Sequence, residues 1–224
     1  MYDIVEAGRT ATPLNEPPES VSETISFVIP VFDEVECIGE FHRQLASAVS
    51  ALGRDAEVLY VDDGSTDGTS GALDQIVASC PWAEVAHMRR NYGKSAALDL
   101  GFRMARGAVV FTLDADLQDD PAEIPRFLLA LSEGNDVVSG WKKRRHDPIG
   151  KTLPSLVFNW FTRAVSGLQI HDFNSGFKAY RREALTDLRL YGELHRYIPV
   201  LLHWEGFRVC EIEVAHRQIG RASC

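Results

Sequence analysis

Two apolar runs in this chain stop at paired carboxylates, and that placement constrains the fold more than any other feature. Glu57-Val58-Leu59-Tyr60-Val61 runs into Asp62-Asp63-Gly64-Ser65, and Ala108-Val109-Val110-Phe111-Thr112 runs into Leu113-Asp114-Ala115-Asp116. A short unbroken apolar run suits a strand buried on both faces, as in a parallel sheet. In open parallel sheets ligands bind beyond the carboxyl ends of the strands, so both acidic clusters are expected to line one crevice. Residues i and i+2 of an extended chain point to the same side, so Asp114 and Asp116 can converge on one point. Such oxygen donors suit Mg2+ or Mn2+, with a phosphate commonly completing the shell. Repulsion between such carboxylates is tolerable mainly where a cation or sugar hydroxyls share the site. A carboxylate after a strand also serves as a helix cap or turn residue, so the pair alone leaves both readings open.

Around these runs the chain alternates strand and helix signals. Ile25-Ser26-Phe27-Val28-Ile29-Pro30-Val31 is a short apolar strand. Ile38, Phe41, Leu45, Val49 and Leu52 recur at helical spacing, and Gly53 fits the end of that helix. Helices are expected over 69–79 and 94–106, with a short strand near Val85-Ala86-His87 between them. Pro121 sits as a first-turn proline opening a helix to Glu133, and Asp136-Val137-Val138-Ser139-Gly140 is another strand. This alternation predicts an α/β fold with a doubly wound, mostly parallel sheet. The second half is less regular. It holds the basic run Lys142-Lys143-Arg144-Arg145, an apolar helix over 153–165 with Trp160 and Phe161, and a polar loop over 171–178. A helix over 193–204 and a strand over 208–215 follow. Residues 1–23 are polar with three prolines and read as a flexible leader, leaving 24–224 as one domain.

Bulk properties narrow the function. A formal net charge of −9 provides no basic field for nucleic acid. Cys37, Cys80, Cys210 and Cys224 are scattered without metal-ligand spacing and read as ordinary thiols of a reducing compartment. No apolar run approaches the ~18 residues of a membrane span, and no basic-then-apolar signal pattern opens the chain. A cytoplasmic protein is expected. An oxidoreductase would place Gly-x-Gly-x-x-Gly after its first strand, and this strand runs into Pro30-Val31-Phe32-Asp33-Glu34 instead.

In order, the motifs are Pro30-Val31-Phe32-Asp33-Glu34, Asp62-Asp63-Gly64-Ser65, Asn91-Tyr92-Gly93-Lys94, Asp114-Ala115-Asp116-Leu117-Gln118 and Asn174-Ser175-Gly176-Phe177. The chain resembles family-2 inverting glycosyltransferases, above all the polyprenyl-phosphate branch of dolichyl-phosphate mannose synthase and its bacterial relatives. The resemblance spans about Ile25 to Gly220. It implies a single nucleotide-sugar-binding domain of the glycosyltransferase A type. Pro30, Phe32, Glu34 and Asp62, with Asp63 beside them, would hold base and ribose. Asp114 and Asp116, with Ala115 between them and Gln118 nearby, would bind Mg2+ or Mn2+ bridging the donor diphosphate. Lys94 and Arg144 or Arg145 would meet the leaving phosphates. The relatives often have Tyr-Asn-Glu where this chain has Phe32-Asp33-Glu34. They usually continue past His216-Arg217 into a basic segment, often with membrane helices.

The reaction so implied is attack on the anomeric carbon from the face opposite the diphosphate. A lipid phosphate acceptor, whose second ionisation falls near pH ~6, needs no strong base. Ser175, His195, Arg196, His216 and Arg217 would receive it. A sugar hydroxyl acceptor needs a carboxylate base, and Asp172 is the candidate. A uridine diphosphate sugar is favoured over a guanosine one as donor. A polyprenyl phosphate is favoured over a glycan as acceptor. The aromatic pair Trp160-Phe161 keeps a contact with the inner face of the membrane open. A domain that binds nucleotide sugar without transferring it is the non-catalytic alternative.

Overall fold

The computed structural model describes residues 24–142, 162 and 166–215. The expected leader, most of the 153–165 helix, Arg144, Arg145, His216 and Arg217 lie outside the described residues. Seven strands form one sheet: β1 (Ile25–Val31), β2 (Ala56–Asp62), β3 (Ala83–His87), β4 (Val109–Thr112), β5 (Val137–Trp141), β6 (Lys178–Arg181) and β7 (Val209–Glu213). Their spatial order is β3-β2-β1-β4-β6-β5-β7. β3, β2, β1 and β4 run parallel, β6 is antiparallel to both neighbours, and β5 and β7 are again parallel. The mostly parallel sheet of the α/β reading is what forms.

Residue alternation along β1 explains the layering. Ile25, Phe27 and Ile29 face a core built with α1 (Ile38–Leu52), α2 (Thr69–Ser79) and α4 (Ile124–Ser132). Val28 faces the opposite core, with α3 (Lys94–Met104), α5 (Arg182–Leu185) and α6 (Ile198–Trp204). Both faces of the sheet are therefore covered, which is why its central strands carry unbroken apolar runs. Ile38, Phe41, Leu45 and Val49 are the buried stripe of α1, each contributing about 1.5–3 kcal/mol by removal from water. Gly53 closes the helix at φ +60°, a left-handed conformation that a side chain disfavours. Phe111 anchors an aromatic cluster, with Phe27 stacked at 5.3 Å and Phe127 edge-on at 5.9 Å between ring centroids.

Four expectations are corrected. The polar loop expected over 171–178 gives way to strand β6, whose Lys178 and Arg181 flank only Ala179 and Tyr180 and carry no strand pattern; tertiary pairing with β4 and β5 supplies what local pattern does not. The expected single helix over 193–204 is a 3-10 turn over Leu194–Tyr197 followed by α6. Pro199, with no N–H to give, sits in the first turn of α6 and marks its start. The Pro121 helix likewise splits into a 3-10 turn, Pro121–Glu123, and α4. Cys80 and Cys210 are free thiols, whereas Cys37 is disulfide-bonded, against the expectation of four thiols. Among the described residues no helix is long and apolar enough to cross a membrane.

α3 lies unusually close to the sheet. A Cβ added at Gly101 would stand 2.3 Å from Val28 Cγ1. Gly101→Ala is therefore expected to destabilise the fold by about 1–3 kcal/mol through overpacking. In urea denaturation, Val28→Ala combined with Gly101→Ala should be more stable than the sum of the single changes predicts. Strict additivity would contradict this close packing.

Candidate active site

Because β1, β2 and β4 are parallel in register, Val31, Asp62 and Thr112 end at one edge of the sheet. β5 runs the same way, so Lys142 follows its end at that edge. Antiparallel β6 starts there, with Lys178 opposite Thr112, so the segment 171–177 arrives at the same place. Every expected motif within the described residues thus meets at one edge.

The first two loops brace one another. Asp33 takes φ +52°, tolerable for a short polar side chain, and its Oδ1 accepts from the Thr66 N–H at 2.7 Å. The Asp33 N–H donates to Ser65 Oγ at 3.0 Å, and the Glu34 N–H donates to Thr69 Oγ1 at 2.9 Å. The departure at Phe32-Asp33 therefore keeps a working turn. Gly64 holds φ +74°, and a Cβ there would stand 2.4 Å from the Arg90 carbonyl carbon. Only glycine permits that approach of the two loops.

Asp62 is buried beneath these loops and is not on the wall of the cavity that Glu34 and Asp63 line. Its carboxylate is buried and accepts from the Ser65 N–H (3.0 Å) and the Ser70 hydroxyl (2.5 Å), while His87 Nδ1 lies 2.8 Å from it. Burial pushes Asp62 up, but the bonds from Ser65, Ser70 and His87 outweigh it and hold the carboxyl below its usual range. Asp63 accepts from the Tyr92 and Gly93 N–H groups at 2.7 and 2.8 Å, fixing where α3 begins. Lys94, the first residue of α3, then reaches Asp114 Oδ1 at 2.5 Å.

Pro30, Phe32, Glu34, Asp63, Lys94, Asp114, Ala115 and Asp116 share a cavity of about 320 Å³. Gln118 is not on its wall; its backbone N–H donates to Asp116 Oδ1 at 3.1 Å. Leu117 between them holds φ +63°, rare for a branched apolar residue, with its side chain buried. Burial and the charge of Asp114 push Asp116 up, and burial with Asp116 and Asp114 does the same to Glu34. Burial also pushes at Asp114, but Lys94, Lys142 and Lys178 outweigh it and hold this carboxyl low.

Lys142, the first residue of the basic run, is half of an ion pair behind the cavity. It pairs with buried Asp119 at 2.8 Å, and Asp119 Oδ2 lies 3.5 Å from the Asp114 N–H. The pair ties the end of β5 to the loop carrying Asp114 and Asp116.

A second, constricted pocket of about 20 Å³ adjoins the cavity and shares Pro30, Lys94 and Asp114 with it. Ser175, Lys178, His195 and Arg196 line it. Lys178, buried and donating to the Ser175 carbonyl, is the residue that sequence reasoning missed. Burial and the neighbouring Lys94 push it down to about 8. Burial and Lys94 also lower His195, to about 4, and its Nδ1 lies 2.9 Å from Ser95 Oγ. Gly176 passes so close to the acidic cluster that a Cβ would stand 2.3 Å from Asp114 Oδ2. Asp172 lines neither space; it is buried, and its Oδ1 accepts from the Asn174 N–H at 3.1 Å.

Among the described residues no three His, Cys, Asp or Glu side chains are grouped to cage a metal ion. Two carboxylates of like charge on one cavity fit a different kind of site, in which waters and a bound diphosphate complete the shell.

The sheet, its acid-lined cavity and the adjoining cation-lined pocket define a glycosyltransferase A-type domain. Residues 26–189 match the family described as Glycosyl transferase family 2, and the chain belongs to it. It is 36% identical over 197 residues to the undecaprenyl-phosphate 4-deoxy-4-formamido-L-arabinose transferase of Pseudomonas paraeruginosa, covering 88% of this chain and 58% of that protein. It is 32% identical over 207 residues to the dodecaprenyl-phosphate galacturonate synthase of Rhizobium johnstonii, covering 90% of this chain and 61% of that one. The chain therefore spans about three fifths of these curated relatives. Two solved structures share the fold at lower identity. Glucosyl-3-phosphoglycerate synthase from Mycobacterium tuberculosis, with Mn2+ and uridine-diphosphate-glucose, aligns at TM-score 0.64 and 22% identity, covering 93% of this chain and 79% of that one. The mannosyltransferase PcManGT from Pyrobaculum calidifontis, with GDP-Man and Mn2+, aligns at 0.61 and 21%, covering 85% and 55%.

Removing one partner of the Asp119–Lys142 pair should strand a buried charge. Lys142→Met is expected to cost about 3–5 kcal/mol in urea unfolding, most of it recovered when Asp119→Leu is added. A loss under about 1 kcal/mol, the range of exposed pairs, would contradict the tie between β5 and the Asp114 loop.

Proposed function

We propose that this domain transfers a sugar, with inversion, from a nucleoside-diphosphate sugar to a polyprenyl phosphate, using Mg2+ or Mn2+. The observation that carries the reading is the adjacency of two oppositely charged spaces, an acid-lined cavity and a cation-lined pocket, with Lys94 and Asp114 on the walls of both. The donor belongs in the larger space. There Phe32 and Pro30 offer an apolar wall for the base, and Glu34 an acceptor for ribose hydroxyls. A divalent cation held by Asp114 and Asp116 would neutralise charge on the departing diphosphate. Leu117 and the Gln118 N–H hold the Asp116 carboxylate in its place on that wall.

The acceptor phosphate belongs at the mouth of the smaller space, where Lys178 and Arg196 favour an anion and the neutral His195 and Ser175 add polar partners. The two relatives named above carry polyprenyl phosphates in their names, which supports the same acceptor class here. A dianionic phosphate is already a nucleophile, so no base is needed. The seat of Asp172 inside its own loop agrees with that. Uridine is the donor base proposed ahead of guanosine; the solved structures of this fold named above were captured with one or the other. Donor in water and acceptor in lipid meet at a membrane surface, and the proposal puts the domain at the inner face.

Asp172→Asn separates acceptor classes. Transfer to a polyprenyl phosphate should fall by less than about tenfold, because a general base contributes about 10²–10⁴-fold only where a proton must leave. A loss of 10²-fold or more, with the fold intact by circular dichroism, would contradict transfer without a base, and absence of transfer to a polyprenyl phosphate by wild type beside transfer to a sugar hydroxyl would overturn the phosphate reading.

A further inference from the structure

Lys94 occupies the position from which an ammonium and a metal ion would compete for one carboxylate. Its Nζ lies 2.5 Å from Asp114 Oδ1, and both side chains are about one third exposed at the junction of the two spaces. We propose that Lys94 is an internal counter-ion that withholds Asp114 from the metal until a nucleotide diphosphate arrives, so that metal and donor bind as a unit. This rests on the metal-dependent donor site proposed above.

The backbone of Lys94 is fixed, and its head is held through the ion pair with Asp114. Asp63 fixes the backbone just before it by accepting from Tyr92 and Gly93, which sets the Cα of the first residue of α3. From that anchor the ammonium reaches Asp114 on one side and the pocket of Ser175 and His195 on the other. A bare cavity offers a divalent cation one carboxylate already engaged by Lys94 and a second, Asp116, that among the described residues accepts from the Gln118 N–H at one oxygen. A diphosphate supplies new acceptors for the ammonium and new oxygens for the metal at once. Lys94 then exchanges its carboxylate for phosphate, and Asp114 is released to the ion. Lys142 and Lys178 remain near Asp114 in both states and do not share this exchange, since Asp119 and the Ser175 carbonyl hold them.

The test is direct binding of Mn2+ to the full chain, read from the electron paramagnetic resonance signal of free Mn2+, with and without UDP or GDP. Wild type should bind Mn2+ weakly alone and tightly with its nucleotide. Lys94→Met and Lys94→Gln should tighten binding of Mn2+ alone by about tenfold, within the usual 5–150-fold range of site coupling, and so shrink the effect of nucleotide. Lys94→Arg, which keeps the charge, should behave as wild type. Unchanged or weaker binding of Mn2+ alone to both neutral variants would overturn the counter-ion role, as would equal tightening in Lys94→Arg. Should wild type bind no Mn2+ even with nucleotide, the metal-dependent site itself fails and the counter-ion role with it, an outcome distinct from intact nucleotide-dependent binding that Lys94 does not influence.

Discussion

Carboxylates crowded at the end of a buried sheet must be neutralised, and the site is organised around that demand. Glu34, Asp114 and Asp116 face one cavity, with burial and mutual repulsion raising the proton affinity of Glu34 and Asp116. Three lysines answer them from three elements: Lys94 at the start of α3, Lys142 after β5 and Lys178 at the start of β6. Of these three, Asp114, paired with Lys94, is the one whose carboxyl is held below its usual range. A surplus of acid remains on the cavity side and a surplus of base on the pocket side. That polarity suits the proposed placement of a metal-bound donor beside an anionic acceptor.

Precision comes from backbone N–H groups bonded to acidic side chains around the cavity. Asp33, Asp62, Asp63 and Asp67 spend their oxygens on N–H groups of neighbouring loops. Such charge-assisted bonds are stronger than neutral ones. They lock the loops after β1 and β2 and the start of α3 into one frame. Glycines allow the frame to close where no side chain fits: Gly64 against the Arg90 backbone and Gly176 against the Asp114 carboxylate.

Much of this was legible in the sequence because it is written in local pattern. Unbroken apolar runs marked β1, β2 and β4, and the carboxylates ending them marked the cavity edge. The motif around Asp114 and Asp116, with Pro30, Phe32 and Glu34, pointed to residues that do share one cavity. What could not be read depends on long-range partners. β6 is a strand only because β4 and β5 pair with it. Lys178 becomes a buried cation for the same reason; the only signal was a lysine directly after Phe177 and before Ala179 and Tyr180. Asp62 and Lys142 sit where expected in the chain, but their partners Ser65, Ser70, His87 and Asp119 depend on loop conformation. Periodicity carries no information about that.

The most direct measurement is calorimetric titration of the chain with UDP and with GDP, each with and without Mn2+, on wild type and Asp116→Asn. The proposed chemistry predicts that one nucleotide binds only with Mn2+ and that Asp116→Asn abolishes this binding. Nucleotide binding indifferent to Mn2+ and to Asp116→Asn, or no binding of either nucleotide, would contradict it.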